Sequence, residues 1–302
     1  MNDWPPLDPS RWASTKRTLH SIAQMLGKVR LALAPYQPNF LFTALYLTPR
    51  GFTTGPIPVN LRLIELRVDV LQPCISIASS DGRQSEIPFA QLPDIAAIYA
   101  ALLRTLAELD VNVTLSPIPQ EVPDTTPLDR DDRAPAYRAG DARSWLTLLS
   151  STQSVFERWR APFFGRSSIV LWWGAFDFAA TLFSGKHAPA PANRGYLFKY
   201  DLDAELLSAG FYPGEEANPP FYYGYVYPEP AGCSTIDVGG GASWSEHFKE
   251  WILPYDTVRA AASPQALLQS FLNGLYDVAC DVAGWSRAAN AYVPPPLRSG
   301  RR

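Results

Sequence analysis

The chain has 302 residues, 47% of them hydrophobic and 13% aromatic, and its formal net charge at pH 7 is −3. This composition is typical of a globular protein that buries a large core. Nucleic-acid binding requires a concentrated basic surface, and the sequence contains no basic stripe with interleaved aromatic residues. The composition therefore argues against a nucleic acid as partner.

The sequence also lacks the usual signals of secretion and membrane insertion. Its first residues contain no basic segment followed by an apolar one, and no apolar stretch reaches the ~18–20 residues that a membrane span requires. The three cysteines, Cys74, Cys233 and Cys280, have no C-x-x-C spacing, which predicts a reducing compartment. We expect a cytoplasmic protein without a membrane partner, and the sequence does not indicate its oligomeric state.

The predicted elements of the first half run from a helix through strands to a second helix. The first helix is expected at 12–34, where apolar residues recur every three or four positions. The apolar run at 40–48 predicts a strand covered on both faces, and the alternation in 63–70 predicts a strand with one wet face. An Asp-Gly pair at 81–82 predicts a hairpin turn, and a closing helix is expected at about 93–109.

The second half follows the same order. It contains a predicted helix at 144–160, strands at 168–178, 221–227 and 250–255, a closing helix at 264–283, and a long insertion at 184–220. We therefore predict an α+β fold of two pseudo-repeats, each a helix, antiparallel strands and a helix, packed as one compact unit. The expected boundaries are repeats at 1–120 and 144–291, a linker at 121–143 and a disordered tail at 292–302.

Asp177 is the sharpest candidate for a catalytic residue. It lies in the otherwise apolar run LWWGAFDFAATLF, where an ionised carboxylate is costly unless it is paired or hydrogen-bonded. Thr181 and Ser184 follow it and would bind substrate as part of a polar wall. The structural alternative is that Asp177 caps a strand end or pairs with an arginine.

A polar stripe on the first predicted helix supplies further candidates. His20, Gln24 and Lys28 follow one another at four-residue intervals, so they share one side of the helix. His20 would act as a general base beside Gln24 and Lys28, which would bind the substrate. The alternative is a structural histidine that makes one hydrogen bond. The three histidines of the chain have no metal-binding spacing, so no metal site is predicted.

Basic residues near the first helix of each half suggest a positively charged pocket. In the first half these are Lys28, Arg30 and Arg50, and basic residues occupy equivalent places in the second half. A pseudo-twofold arrangement would bring them together to bind a carboxylate or phosphate. The alternative is pairing with nearby carboxylates on solvated faces.

Aromatic residues are concentrated in the second half. Tyr223 and Tyr225 share one face of a predicted strand, and Trp172 and Trp173 lie in the same half. Such a lining would bind a planar or apolar ligand, the alternative being core packing. Glu205 belongs to this region and is the third candidate for catalysis.

Several motifs resemble a bacterial family of about 300-residue proteins that is catalogued as a domain of unknown function. They are TLHSIAQMLGKVRLALAP (18–35), LTPRGFTTGPIP (47–58), SSDGR (79–83), WWGAFDFAATLFSGK (172–186), SAGFYPG (208–214), YVYPEP (225–230) and ILPYDTVR (252–259). The resemblance extends over nearly the whole chain and implies no particular reaction. This chain has Leu182, Ala204 and Ser286 where the family tends to have arginine, histidine and aspartate, which implies an altered or lost activity.

The leading hypothesis from the sequence is an enzyme of small-molecule metabolism that carries out a biosynthetic or tailoring step. Its substrate would be anionic and partly aromatic or apolar, bound at the seam between the repeats, where pockets tend to form. The reaction type stays open, and the sequence does not indicate a cofactor. The second hypothesis is a non-catalytic protein that binds a ligand or a partner. The third is a metal-dependent oxygenase with carboxylate ligands.

Overall fold

The computed structural model describes residues 3–191, 198–215 and 217–291, so the tail predicted at 292–302 lies outside the described residues. The first half contains α1 (Pro9–Leu33), β1 (Tyr46–Thr48), β2 (Gly51–Thr53), β3 (Ile57–Val59), β4 (Arg62–Asp69), β5 (Cys74–Ser79), β6 (Gln84–Ile87) and α2 (Ile95–Glu108). The second half contains α3 (Ala139–Arg160), β7 (Ser167–Leu171), β8 (Phe178–His187), α4 (Phe198–Asp201), β9 (Ala204–Tyr212), β10 (Phe221–Tyr227), β11 (Ser243–Ser245), β12 (Glu250–Pro254), α5 (Tyr255–Ala260), α6 (Pro264–Asp281) and α7 (Arg287–Asn290).

The first helix, α1, begins where the sequence provides a cap. Asp8 accepts a hydrogen bond from the backbone N–H of Ser10 at 2.9 Å, and Pro9 occupies the first helical position. The apolar residues that recur along α1, among them Leu19 and Leu26, are fully buried. Burial of this stripe fixes which side of α1 faces the rest of the molecule.

The first sheet is an antiparallel meander in the order β1-β2-β4-β5-β6, with β3 paired to β4 beyond β2. The predicted hairpin turn at 81–82 joins β5 to β6. The predicted strand at 40–48 is wrong for most of its length, because Asn39 and Phe40 have positive φ angles and the chain turns through a 3-10 segment, Leu41–Thr43. Only Tyr46–Thr48 forms a strand.

The second sheet is antiparallel in the order β11-β12-β10-β9-β8-β7. The single strand predicted at 168–178 is two strands, β7 and β8, because the chain reverses between them and the N–H of Trp172 donates to the carbonyl of Asp177 at 2.9 Å. The predicted insertion contains β9, which lies in the middle of the sheet between β8 and β10. The insertion is therefore part of the core scaffold.

Both halves contribute to one buried apolar cluster, in which Trp12 of α1 stacks on Trp145 of α3 with ring centroids 6.2 Å apart. The two sheets also meet, because Leu45 forms an antiparallel bridge with Leu171. The structure is thus α+β, as predicted. Each half has the order helix, antiparallel strands, helix, but the strand connections differ, and the internal repeat and its boundaries stay a prediction.

The two faces of the second sheet have different surroundings. Helices α3 and α6 pack on one face, where Tyr222 of β10 bonds the hydroxyl of Thr152 at 2.7 Å. The other face looks toward the second half of α1, the turn at 39–43 and the segment at 114–121, with a cavity between them. None of the helices in the described part of the chain is long and apolar enough to cross a membrane.

Candidate functional site

The cavity has a volume of about 780 Å³ and is lined by residues from both halves of the chain. Cavities of this size accommodate drug-sized small molecules. The pleat of the second sheet selects its lining, because alternate side chains point to opposite faces. On β10, Phe221, Tyr223 and Tyr225 line the cavity, whereas the intervening Tyr222 is buried beneath the helices.

The charged lining is strongly acidic. Among the described residues the cavity lining contains one lysine, Lys28, and five carboxylates. The carboxylates are Glu121, Asp177, Asp201, Glu215 and Glu250. The carboxylates come from separate parts of the chain, so only the folded structure brings them together. Their mutual repulsion in a partly water-excluded space favours either proton uptake or a bound cation.

Asp177 occupies a central place in this group. Its side chain is only 7% exposed and accepts a hydrogen bond from the hydroxyl of Tyr223. Burial, helped by the charge of Glu121, raises the pKa of Asp177 to about 7 against the opposing effect of the Tyr223 hydrogen bond. At neutral pH this carboxyl therefore exchanges readily between its two protonation states, as a general acid or base must.

Asp201, at the end of α4, is a second carboxyl with the same property. Burial, together with the charges of Glu121, Asp177 and Asp203, raises its pKa to about 7. Burial is the main reason that the pKa of Tyr225 is raised, and the charge of Asp201 raises it as well. Asp177 and Asp201 thus form an electrostatically coupled pair.

Aromatic rings cover much of the remaining wall. Tyr223 and Tyr225 are stacked, with centroids 6.4 Å apart and ring planes 17° from parallel, and Tyr212 lies 5.2 Å from Phe221. Trp172 and Trp173 also line the cavity. The predicted aromatic lining is therefore present in the structure. The faces of these rings carry negative electrostatic potential, which attracts cations.

Two adjacent hydroxyl groups of β8 and β9 form part of the cavity wall. Thr181 of β8 and Ser208 of β9 are cross-strand neighbours, and their hydroxyl oxygens lie 3.2 Å apart. Both residues are buried and line the cavity. They can donate to or accept from a polar group of a ligand.

The turn at 172–177 is fixed from behind by α1 and α3. Phe176 has a φ of +64°, an uncommon conformation for a bulky residue, and its ring is inserted between His20 and Trp145 at centroid distances of 5.0 and 5.2 Å. His20 Nε2 lies 3.0 Å from the carbonyl oxygen of Trp173 and 2.8 Å from that of Gly174. These contacts hold the backbone that positions Asp177.

His20 is therefore placed behind the cavity wall and is not among the residues that line it. Burial lowers its pKa to about 4, so the ring is neutral at pH 7 and Nε2–H donates to the two carbonyl groups. The structure thus agrees with the alternative of a structural histidine.

Gln24 has a similar bracing role. Its side-chain amide donates to the carbonyl groups of Gln120 and Gly174 at 2.8 and 3.2 Å, and its Oε1 accepts from the N–H of Gln120 at 3.0 Å. Gln24 thus joins α1 to the segment that carries Glu121. It supports the cavity wall without lining it.

Lys28 is the member of the predicted polar stripe that reaches the cavity. It is 3% exposed, its Nζ donates to the carbonyl of Ile118 at 2.7 Å, and Nζ lies 5.5 Å from the ring centroid of Trp173. Burial lowers the pKa of Lys28 to about 8. At pH 7 about nine-tenths of the Lys28 population is still protonated, so Lys28 is a single cation among the described carboxylates of the lining.

The predicted cluster of basic residues does not form. Arg30 is buried and donates from Nε to the carbonyl of Phe42 at 2.9 Å and from Nη1 to that of Thr54. Arg50 is half exposed and pairs with Asp69 on the first sheet. Neither arginine lines the cavity, so the expected positive pocket is corrected to an acidic one with a single lysine among the described residues.

Ser184 and Glu205 also lie apart from the cavity lining. The hydroxyl of Ser184 donates to Glu205 at 2.8 Å, and Lys186 lies 3.5 Å from the same carboxylate oxygen. Glu205 belongs to the opposite parity of β9 from Leu206 and Ser208, which line the cavity. The pair is a polar contact between β8 and β9, and the catalytic assignment of Glu205 has no geometric support.

Sequence reasoning missed most of the cavity carboxylates. Glu250 occupies a strand position whose alternation points it to this face, a signal that was available from the pattern of β12. Glu121 and Asp201 lie in irregular or short segments without such a signal. In the described part of the chain, no three His, Cys, Asp or Glu side chains are arranged to hold a metal ion.

Comparison with known proteins gives a family but no activity. The model of a family of unknown function, DUF5996, matches residues 4–292. No curated protein and no solved structure matches the chain. Because the matched region covers nearly the whole sequence, including every segment that lines the cavity, the chain belongs to the DUF5996 family of proteins of unknown function.

Proposed function

We propose that the protein binds a small organic molecule that carries a positively charged nitrogen beside an aromatic or apolar body, and that the cavity is its binding site. The single observation that carries this proposal is the set of five carboxylates in an aromatic-walled cavity of about 780 Å³. A bound cation would lower the electrostatic cost of ionising Asp177 and Asp201 together. The ligand charge is the reverse of the one expected from the sequence.

The aromatic walls support the same ligand class. An ammonium group near Tyr223 and Tyr225 would be attracted both by their ring faces and by the carboxylate of Asp177, which Tyr223 holds in place. The apolar body would pack against the rings of Trp172 and Phe221. A hydroxyl or carbonyl group of the ligand would bond Thr181 or Ser208.

Three probes of matched shape test the charge of the ligand: phenethylamine, phenethyl alcohol and phenylacetate. Ligand binding stabilises the folded protein by RT ln(1 + [L]/Kd), about 2.7 kcal/mol at a ligand concentration of 100 Kd. We expect the midpoint temperature of thermal unfolding to rise by a few degrees with phenethylamine and much less with phenethyl alcohol or phenylacetate. Equal shifts with the amine and phenylacetate would contradict the proposal.

Asp177→Asn provides the matched variant, because it removes the charge and keeps the side-chain shape. Loss of a buried opposite charge should weaken amine binding at least tenfold, which corresponds to about 1.4 kcal/mol. Asp132→Asn changes an exposed aspartate outside the cavity lining and serves as the control. If both variants bind phenethylamine as the wild type does, Asp177 is not the cation-binding residue.

A second candidate function, an enzyme of small-molecule metabolism, rests on the protonation behaviour of Asp177. A carboxyl with a pKa near 7 at a cavity wall suits general acid or base catalysis of a biosynthetic or tailoring step. A metabolite extract incubated with the wild type should then lose a cationic compound that Asp177→Asn leaves intact, as followed by mass spectrometry. Binding of such a compound without its consumption would instead favour a non-catalytic binding protein.

A further inference from the structure

Lys28 is a buried amine at the cavity wall that cation binding does not use. It is 3% exposed, and its Nζ makes one hydrogen bond, to the carbonyl of Ile118 at 2.7 Å. An ammonium group has three N–H donors, whereas a neutral amine has two and a lone pair. Among the described residues Nζ has this one acceptor and the Trp173 ring 5.5 Å away, so the extra N–H of the ammonium form gains no further hydrogen bond.

Lys28 shares its cavity with five carboxylates. Within the described part of the chain, no carboxylate forms an ion pair with Lys28, although five carboxylates line the same cavity. The carboxylates are instead coupled to one another and to the tyrosines of the second sheet. The amine and the acidic groups therefore line one cavity without an ion pair between them in the described structure.

We propose that Lys28 is a nucleophilic amine that condenses with the carbonyl group of an aldehyde or ketone bound in the cavity. The lone pair of Nζ attacks the carbonyl carbon, a C–N bond forms, and the carbonyl oxygen takes up a proton to give a carbinolamine. The C–O bond then breaks, the oxygen leaves as water with a second proton, and the nitrogen loses its protons to give an imine. No oxidant or reductant is needed, because the condensation of the carbonyl group with the amine only releases water.

The protonation state of Lys28 supports this chemistry. At pH 7 an amine with a pKa of about 8 is roughly one-tenth unprotonated, whereas a lysine with the ordinary pKa of about 10.5 is unprotonated in fewer than ~1 in 1,000 molecules. Asp177 and Asp201 line the same cavity and carry protons in part of the population at this pH. They are sources of the proton that the departing oxygen requires.

Reductive trapping with benzaldehyde and sodium cyanoborohydride tests the proposal. The chain has five lysines, so peptide mass spectrometry can follow each one separately. We expect Lys28 to be benzylated at least tenfold faster at pH 7 than Lys186 or Lys249, whose side chains are 63% and 48% exposed. Labelling spread over these exposed lysines, with Lys28 at or below their level, would overturn the proposal.

Two variants complete the experiment. Lys28→Arg keeps a cation but has no amine that can form an imine, so fast labelling should disappear from a protein that still folds. Asp132→Asn, at an exposed position outside the cavity lining, should retain labelling at Lys28. If Lys28 is labelled but phenethylamine does not bind, the proposed ligand charge fails alone. If phenethylamine binds and Lys28 resists labelling, the nucleophile proposal fails alone.

Discussion

The raised pKa of Asp177 can be measured by comparing the pH dependence of stability in the wild type and in Asp177→Asn. The ordinary pKa of an aspartate is 3.8, and burial raises that of Asp177 to about 7 in the folded protein. The folded state therefore holds this proton more tightly than the unfolded state does. The stabilisation from the bound proton is complete below the unfolded pKa and is lost as the pH rises through the folded value.

The size of the effect follows from these two pKa values. Between pH 5 and pH 8 the wild type should lose about 2–3 kcal/mol of stability through Asp177 alone. Asparagine does not titrate, so Asp177→Asn should gain this amount relative to the wild type over the same range. Any constant cost of placing an amide next to Tyr223 cancels in the comparison.

Urea unfolding of both proteins at pH 5, 6, 7 and 8 measures the difference. Asp132→Asn, at an exposed position, is the control and should follow the wild type. The same stability difference between Asp177→Asn and the wild type at pH 5 and pH 8 would contradict a raised pKa of Asp177. A loss of stability by the variant relative to the wild type as the pH rises would contradict it as well.

Two further predictions concern the scaffold. A Cβ added at Gly27 would lie 2.1 Å from Trp173 Cγ, so Gly27→Ala should lower the free energy of urea unfolding by about 2 kcal/mol or more. Gly140→Ala is the control, because a Cβ at Gly140 has nothing within 4 Å, and it should be neutral or stabilising. Equal effects of the two substitutions would contradict the close packing at Gly27. Tyr222→Phe should cost about 1–2 kcal/mol by leaving the buried hydroxyl of Thr152 without its partner. Adding Thr152→Val should recover part of this cost, and strictly additive losses would argue against the bond.

The fold class could be predicted because it rests on local patterns. The three- and four-residue spacing of Leu19 and Leu26 and the alternation in β4 identify a helix and a strand without knowledge of their partners. Strand ends were less predictable. The run at 40–48 is apolar throughout, but the positive φ angles at Asn39 and Phe40 interrupt it, and composition does not encode such local turns.

The cavity could be predicted only in part. Asp177, Thr181, Tyr223 and Tyr225 were identified because each is a polar or amphipathic side chain within an apolar strand or turn, and all four line the cavity. The predicted sign of the charge of the cavity lining was wrong, because that charge depends on tertiary placement. Arg30 donates hydrogen bonds to backbone carbonyl groups near the first sheet, while carboxylates from distant segments converge on the second sheet.

His20 shows why a residue type alone does not identify chemistry. A histidine beside a glutamine and a lysine on one helix face is compatible with a general base and with a structural donor. The difference lies in the backbone of the turn at 172–177, more than 150 positions away, whose carbonyl groups accept from Nε2. Only the folded structure brings these partners together.

Calorimetric titration with phenethylamine at pH 7 tests whether the acidic cavity binds an organic cation. A bound ammonium group should lower the pKa of Asp177 and Asp201, so binding should release protons, up to about half a proton from each carboxyl. Parallel titrations in phosphate and Tris, whose ionisation enthalpies differ, count the protons released. We expect saturable binding with net proton release, and a smaller release in Asp177→Asn. Absence of binding heat, or binding of phenylacetate in preference to the amine, would contradict this expectation.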